Sequence, residues 1–207
     1  MSHMSYRCLM TVDRDQVLKA AAELLSRKAT APMDEIARAA GISRATLHRH
    51  FAGREALVFA LGDLGVRQIE DGLEAARIEE GPPPDALRRL VAEAMPVAGF
   101  LAFLYGENQL YEPGQPDPGW ARIEERVGAL VRRGQEQGVF RRDLSPDWLT
   151  DALYALVAAS GWSVQDGRMA PKEAPRMVAE LLLGGVLERS EKPGRLEKPE
   201  RTERKAP

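Results

Sequence analysis

The sequence predicts an all-α fold: an N-terminal three-helix, helix-turn-helix head followed by a C-terminal helical bundle. Three observations carry that prediction. Apolar residues recur at helical spacing along most of the chain, with no convincing strand. Glycine and proline punctuate the gaps, above all at Gly41, Gly81–Pro84 and Pro113–Pro118. Two short helical stretches also meet at Gly41, in the manner of a tight helix-helix turn.

The first helix starts at Asp13, an N-cap with Gln16 three residues on, the spacing of a capping box. Val17, Ala21, Leu24 and Leu25 form its buried face, and Arg27 and Lys28 suit the negative end of its dipole. Pro32 occupies the first position of the second helix, with Asp34 and Glu35 in its first turn. Ile36 and Ala40 face inward, and Gly41 ends this helix because it tolerates positive φ. Ser43 caps the third helix, whose Leu47 and Phe51 point inward.

A fourth helix runs from Arg54 to about Glu79, with Leu57, Leu61, Leu64, Ile69 and Leu73 inward. The run G-P-P-P at Gly81–Pro84 breaks the chain. Helical patterns follow at about 85–110, 117–138, 146–165 and 171–189, with Ser145 as a cap and Pro146 at the first position of the third of these. The expected organisation is a tag or disordered start over 1–10, a head over 11–55, a bundle over 56–189 and a disordered tail over 190–207, where charge and proline leave almost nothing to bury.

Composition narrows the function. The 207-residue chain has a net charge of −2 and is 44% hydrophobic, an ordinary soluble mixture. It lacks the long apolar run of a membrane span, and its start lacks a signal-peptide core; Ser2-His3-Met4 reads as a cloning remnant. Cys8 stands alone, which fits a reducing cytoplasm. The charge is split: residues 1–55 hold nine Lys/Arg against six Asp/Glu and all three histidines, whereas residues 56–187 hold 13 against 20. A cationic head on an acidic body suggests that the head alone meets an anion, although an excess of +3 also arises by chance.

The stretch I-S-R-A-T-L-H-R-H-F, Ile42–Phe51, concentrates that charge. With Leu47 and Phe51 inward, Arg44, Ala45, His48 and Arg49 face out. Such a helix fits the major groove, where arginine makes a bidentate contact to guanine O6 and N7 and the Ala45 methyl can touch a thymine methyl. Ser43, Thr46, His48 and His50 are candidate donors to phosphates or bases, and Arg54 opens the next helix, where free N–H groups favour a phosphate. Ile36, Ala37, Ala40, Gly41, Ile42 and Leu47 form the interlocking set of a helix-turn-helix; a plain αα-hairpin is the alternative. A metal site is not expected. His48 and His50 are two apart on a helix and point to nearly opposite sides, and the lone cysteine is remote.

In the body, Phe100–Tyr111 is the most aromatic stretch, with Phe103, Leu104 and Tyr111 on one face and Glu107, Asn108 and Gln109 interrupting it. Apolar walls with a few polar groups suit a small-molecule pocket, and simple core packing explains the same residues. Phe103, Leu104, Asn108, Tyr111, Trp120 and Trp162 are the candidate ligand contacts. The last two helices are apolar on more than one side and rich in small residues, so each needs cover on more than one side, from the body or from a second copy.

Residues 13–61 resemble the DNA-binding region of the tetracycline-repressor (TetR) family of bacterial transcriptional regulators. The resemblance is carried by VLKAAAELL, by MDEIARAAGISRATLHRHFAGREALVFAL and by the all-helical chain that follows, and it covers about a quarter of the chain. His48 stands where that family usually has tyrosine, His50 and Phe51 match, and Arg54 matches a phosphate-contacting cation. Pro32 occupies the place of the family's phosphate-contacting Thr or Ser, with Thr30 as the substitute. The resemblance implies an effector pocket in the body. It also implies a homodimer, paired through about 146–165 and 171–189 as a four-helix bundle. The expected protein is a cytoplasmic bacterial repressor that binds near-palindromic double-stranded DNA and is released by a small molecule. No cofactor, membrane or enzymatic chemistry is expected, since no G-x-S-x-G, P-loop or H-E-x-x-H occurs. A ligand-independent DNA-binding dimer and a helical enzyme are the alternatives.

Overall fold

Helices make up about three-quarters of the described residues, 13–107, 110 and 117–187, of this computed structural model; they hold no β-strand, only one antiparallel bridge between Phe140 and Leu187. The expectations for residues 1–10 and 190–207, and for Asn108, Gln109, Tyr111, Pro113 and Pro116, lie outside the described residues.

Helix α1 spans Arg14–Arg27 and α2 Met33–Ala39; α3 spans Arg44–His50 and α4 Arg54–Ala76. Asp13 caps α1, but it accepts from Asp15 N at 3.4 Å rather than from Gln16, so the capping box does not close as its spacing suggested. Pro32 stands one residue before α2 as an extended N-cap (φ −73°, ψ 162°), a conformation its ring permits, instead of at the first helical position. Gly41 turns the chain at φ +68°, a left-handed conformation that costs glycine little, and Ile42 N then donates to Ala37 O at 2.9 Å.

Helix α4 stops at Ala76, three residues short of the predicted end. Arg77 takes a left-handed conformation (φ 46°) where glycine is usual. Two arginines satisfy the carbonyls left open there. Arg89 donates to Ala76 O, Arg77 O and Glu80 O, and Arg133 donates to Ile78 O and Glu79 O. The predicted single helix at about 85–110 is instead two: α5 over Pro83–Ala94 and α6 over Ala98–Tyr105, joined by a 3-10 turn at Met95–Val97. Pro96 explains the break, because it has no N–H to donate and its ring crowds the preceding turn. Helices α7 (Pro118–Glu136), α8 (Pro146–Gln165) and α9 (Ala174–Val186) complete the bundle. Ser145 caps α8 as expected, accepting from Trp148 N at 3.2 Å.

Two apolar clusters form the interior. One joins α1, α2 and α3 to the first half of α4 and to Phe100, Phe103 and Leu104 of α6, so the core of the head extends past residue 55 to Leu64. Leu47, Ile36 and Leu57 are fully buried there, and truncating such a leucine to alanine costs about 2–5 kcal/mol. The other cluster fills the space among the second half of α4, α5, α7, α8 and α9. Leu101 and Trp120 touch both. Ion pairs from Arg122 to Glu70 (2.9 Å) and from Arg126 to Glu74 (2.9 Å) and Glu79 (2.8 Å) lay α7 along α4.

Candidate nucleic-acid interface and ligand cavity

The outer face of α3 is made by what its inner face buries. Leu47 and Phe51 are at most 2% exposed, which turns Ser43, Arg44, Ala45, His48 and Arg49 to solvent, with Thr46 and His50 half-buried. Ser43 accepts from Thr46 N at 3.1 Å, and the two hydroxyls are 2.9 Å apart. Arg49 donates to Thr46 Oγ1 at 3.1 Å, which holds its guanidinium along the face. Arg44 pairs with Asp34 at 3.2 Å, both well exposed; such a pair is worth about 0–1 kcal/mol, so a phosphate or a guanine can displace it. His50 lies against the ring of Phe51, with centroids 6.2 Å apart, and Arg14 covers that ring at 5.0 Å. Thr30 is exposed in the turn before α2.

Arg54 departs from the expectation. Its guanidinium donates to Ala31 O at 2.9 Å and Ala29 O at 2.6 Å, and it lies 3.5 Å from Glu107. The predicted phosphate anchor is therefore a three-way tie between the α1–α2 turn, the start of α4 and the end of α6. A guanidinium has five donors and serves carbonyls as readily as phosphates, so sequence could not choose between them.

A second feature lies in the body. A cavity of about 240 Å³ opens among α4 to α8. Ile69 and Leu73 of α4, Leu90 of α5, Leu101 and Leu104 of α6, and Leu153, Tyr154 and Val157 of α8 supply the walls. Helix α7 adds Trp120, Glu124 and Val127, with Asp117 just before it. Gly65 backs the wall: a Cβ there would overlap Leu104 Cδ1 and come within 3.6 Å of the Trp120 ring.

Of the predicted ligand contacts, Leu104 and Trp120 line this cavity. Phe103 does not. It is 5% exposed in the head cluster and stacks on Phe100, with centroids 6.4 Å apart, because α6 turns that face toward α1. Trp162 does not either; it is 44% exposed on the outside of α8. Asn108 and Tyr111 lie outside the described residues. Sequence reading missed Ile69, Leu73, Tyr154 and Glu124. Each looked like ordinary core or surface within its own helix, and only the tertiary arrangement brings them together.

On the outside of the body, α8 and α9 each carry exposed apolar side chains. Trp148 is 61% exposed, Met177 46% and Leu181 65%; Gly184 and Gly185 have nothing near their would-be side chains. Met177, Leu181, Gly184 and Gly185 fall at i, i+4, i+7 and i+8, one stripe along α9.

The profile of the family described as "Bacterial regulatory proteins, tetR family" matches residues 17–61. The chain is 31% identical over 177 residues to the HTH-type transcriptional regulator NfxB of Pseudomonas aeruginosa, covering 83% of this chain and 93% of that protein. It is 30% identical over 163 residues to the HTH-type transcriptional repressor LfrR of Mycolicibacterium smegmatis, covering 74% and 80%. The crystal structure of LfrR in complex with proflavine superposes with a TM-score of 0.69 at 27% identity, covering 85% of this chain and 97% of that one.

Proposed function

The chain belongs to the TetR family of bacterial regulatory proteins, DNA-binding transcriptional regulators rather than enzymes, and from that premise we propose that it is a homodimeric, ligand-released repressor of the bacterial cytoplasm. The observation that carries this reading is the outer face of α3. A short, capped helix presents Ser43, Arg44, Ala45, Thr46, His48 and Arg49 as one polar, cationic surface with only an alanine at its centre. That surface enters the major groove. Arg44 and Arg49 read base edges, and Ser43, Thr46, His48 and His50 contact phosphates or bases. Arg54 orients the α1–α2 turn, which brings Thr30 to the phosphate backbone.

The exposed stripe on α8 and α9 pairs with its copy about a two-fold axis. Large apolar side chains over small residues are what a helix-helix interface needs. Two recognition helices then meet half-sites roughly one DNA turn, 34–36 Å, apart, and the operator is near-palindromic. No described helix is long and apolar enough to cross a membrane.

A small molecule in the cavity among α4 to α8 releases the DNA by population shift. LfrR, in complex with proflavine, is a relative of this chain with a small-molecule partner, which supports that role. Ligand filling the space beside Leu104 favours a different setting of α6 and α4. Moving a dimer population from 1:99 to 99:1 needs about 5.5 kcal/mol of differential affinity. The test is selection of genomic fragments by the full chain with and without metabolite extract. One near-palindromic fragment class, lost in extract, is the expected result. Indiscriminate retention, or retention unaffected by any extract, overturns the corresponding half of the proposal.

A further inference from the structure

The chemistry of the cavity specifies the charge of its ligand. We propose that the effector is a compact aromatic or otherwise lipophilic cation, whose apolar body fills the cavity and whose charge rests at the mouth on Glu124. This inference rests on the reading of the cavity as the effector site.

The walls are apolar and aromatic, and no Lys, Arg or His is among the described residues that line them. The nearest arginines along α7 are committed elsewhere, Arg122 to Glu70 and Arg126 to Glu74 and Glu79. Among the described residues, Asp117 and Glu124 are thus the charged groups of the lining. Asp117 caps α7, accepting from Gly119 N at 2.7 Å and Trp120 N at 3.2 Å. Glu124 forms no ion pair or hydrogen bond among the described residues and is exposed at the cavity edge.

Trp120 and Glu124 are i and i+4 on α7, so the indole and the carboxylate stand on one face, one turn apart. An indole beside a carboxylate suits a cation, through the ring quadrupole and through opposite charge. A carboxylate or phosphate ligand would meet only like charge there, which costs affinity. A volume near 240 Å³ is just below the range of about 300–1,000 Å³ for small-molecule pockets, so the ligand is compact rather than a long chain.

The test uses three tricyclic probes of nearly equal shape at mildly alkaline pH: 9-aminoacridine (a cation), acridine (neutral) and acridine-9-carboxylate (an anion). Each is titrated into the full chain by calorimetry, and operator binding is followed in parallel by anisotropy. The expected order is cation over neutral by at least about tenfold, with the anion weakest. Glu124→Gln should remove most of that preference while leaving acridine affinity within about twofold. Glu124→Lys should invert it, so that acridine-9-carboxylate binds better than 9-aminoacridine. Glu124 is exposed, so both variants should melt close to the parent. Equal affinity for cation and neutral probe, binding by none of the three, or an unchanged preference in Glu124→Gln overturns the proposal. Those outcomes leave operator recognition by α3 intact. Failure of the regulator reading is seen separately, as the absence of operator binding in the anisotropy arm.

Discussion

Arg54, the first residue of α4, and Glu107, just beyond the end of α6, face each other at 3.5 Å, and the same guanidinium holds the carbonyls of Ala29 and Ala31. One side chain thereby joins the turn that carries α2 and α3 to the helix whose Leu104 and Tyr105 line the cavity. Under the proposed function, a ligand that moves α6 would pull on the head through this joint.

Glu107→Gln tests that joint. The pair is partly exposed, so its loss should cost under about 1 kcal/mol of stability. Operator affinity without ligand should stay within a few-fold, while the ligand concentration needed for release rises. Anisotropy titrations of operator complexes with and without effector read both quantities. An unaltered release curve would remove Arg54–Glu107 from the coupling.

Gly65→Ala tests the cavity wall. The new Cβ would overlap Leu104 Cδ1, the mobile end of a side chain, so Leu104 must swing into the cavity. Over-packing of this kind costs about 1–3 kcal/mol. Ligand affinity should fall by more than stability does, as read by calorimetry beside thermal melting. A variant that melts lower but binds ligand normally would show that the cavity is not the effector site.

Leu181→Glu tests the assembly. Leu181 is 65% exposed at the centre of the α9 stripe, so in a lone chain the change should be nearly neutral for folding. In a dimer it buries two carboxylates against each other. Sedimentation should show a monomer, and operator affinity should fall by orders of magnitude because half-site pairing is lost. A dimer of unchanged mass would place the interface elsewhere.

The head was legible in the sequence because its determinants are local. Ser43 caps α3, Gly41 takes the positive φ, and Leu47 and Phe51 fall at i and i+4. The ends and partners set at long range were not. Helix α4 ends at Ala76 with no glycine after it, where Arg89 serves the Ala76 carbonyl and Arg133, more than fifty residues away, serves those of Ile78 and Glu79 just beyond the helix. The break at Pro96 was hidden by the apolar pattern that continues through Val97, Ala98 and Phe100 on either side of a helical turn. Phe103 and Leu104 are neighbours in sequence and share the head cluster, yet only Leu104 also reaches the cavity, a difference set by the packing of α6 between α1 and α8.

Glu79 gives a prediction in pH. Burial works to raise its carboxyl, but the Arg126 hydrogen bond and the charges of Arg126 and Arg133 outweigh it and hold the pKa below the ordinary 4.5. The folded state therefore gains stability from this group above that value, and loses it as pH falls through the lowered one. Glu79 is largely exposed, so the contribution is under about 1 kcal/mol. Glu79→Gln should flatten the acid limb of the melting-temperature profile slightly and leave the neutral range nearly parallel. An acid limb identical to the parent's would mean the pair is of no consequence.

Methylation interference at guanine N7 on a selected operator tests most directly that α3 reads the major groove. Methylating guanines in two clusters, one helical turn apart, should block binding. Arg44→Ala and Arg49→Ala should each lose the interference at one guanine per half-site, with about 1–3 kcal/mol of affinity. Binding indifferent to N7 methylation, with both variants retaining parental affinity and sequence choice, would contradict it.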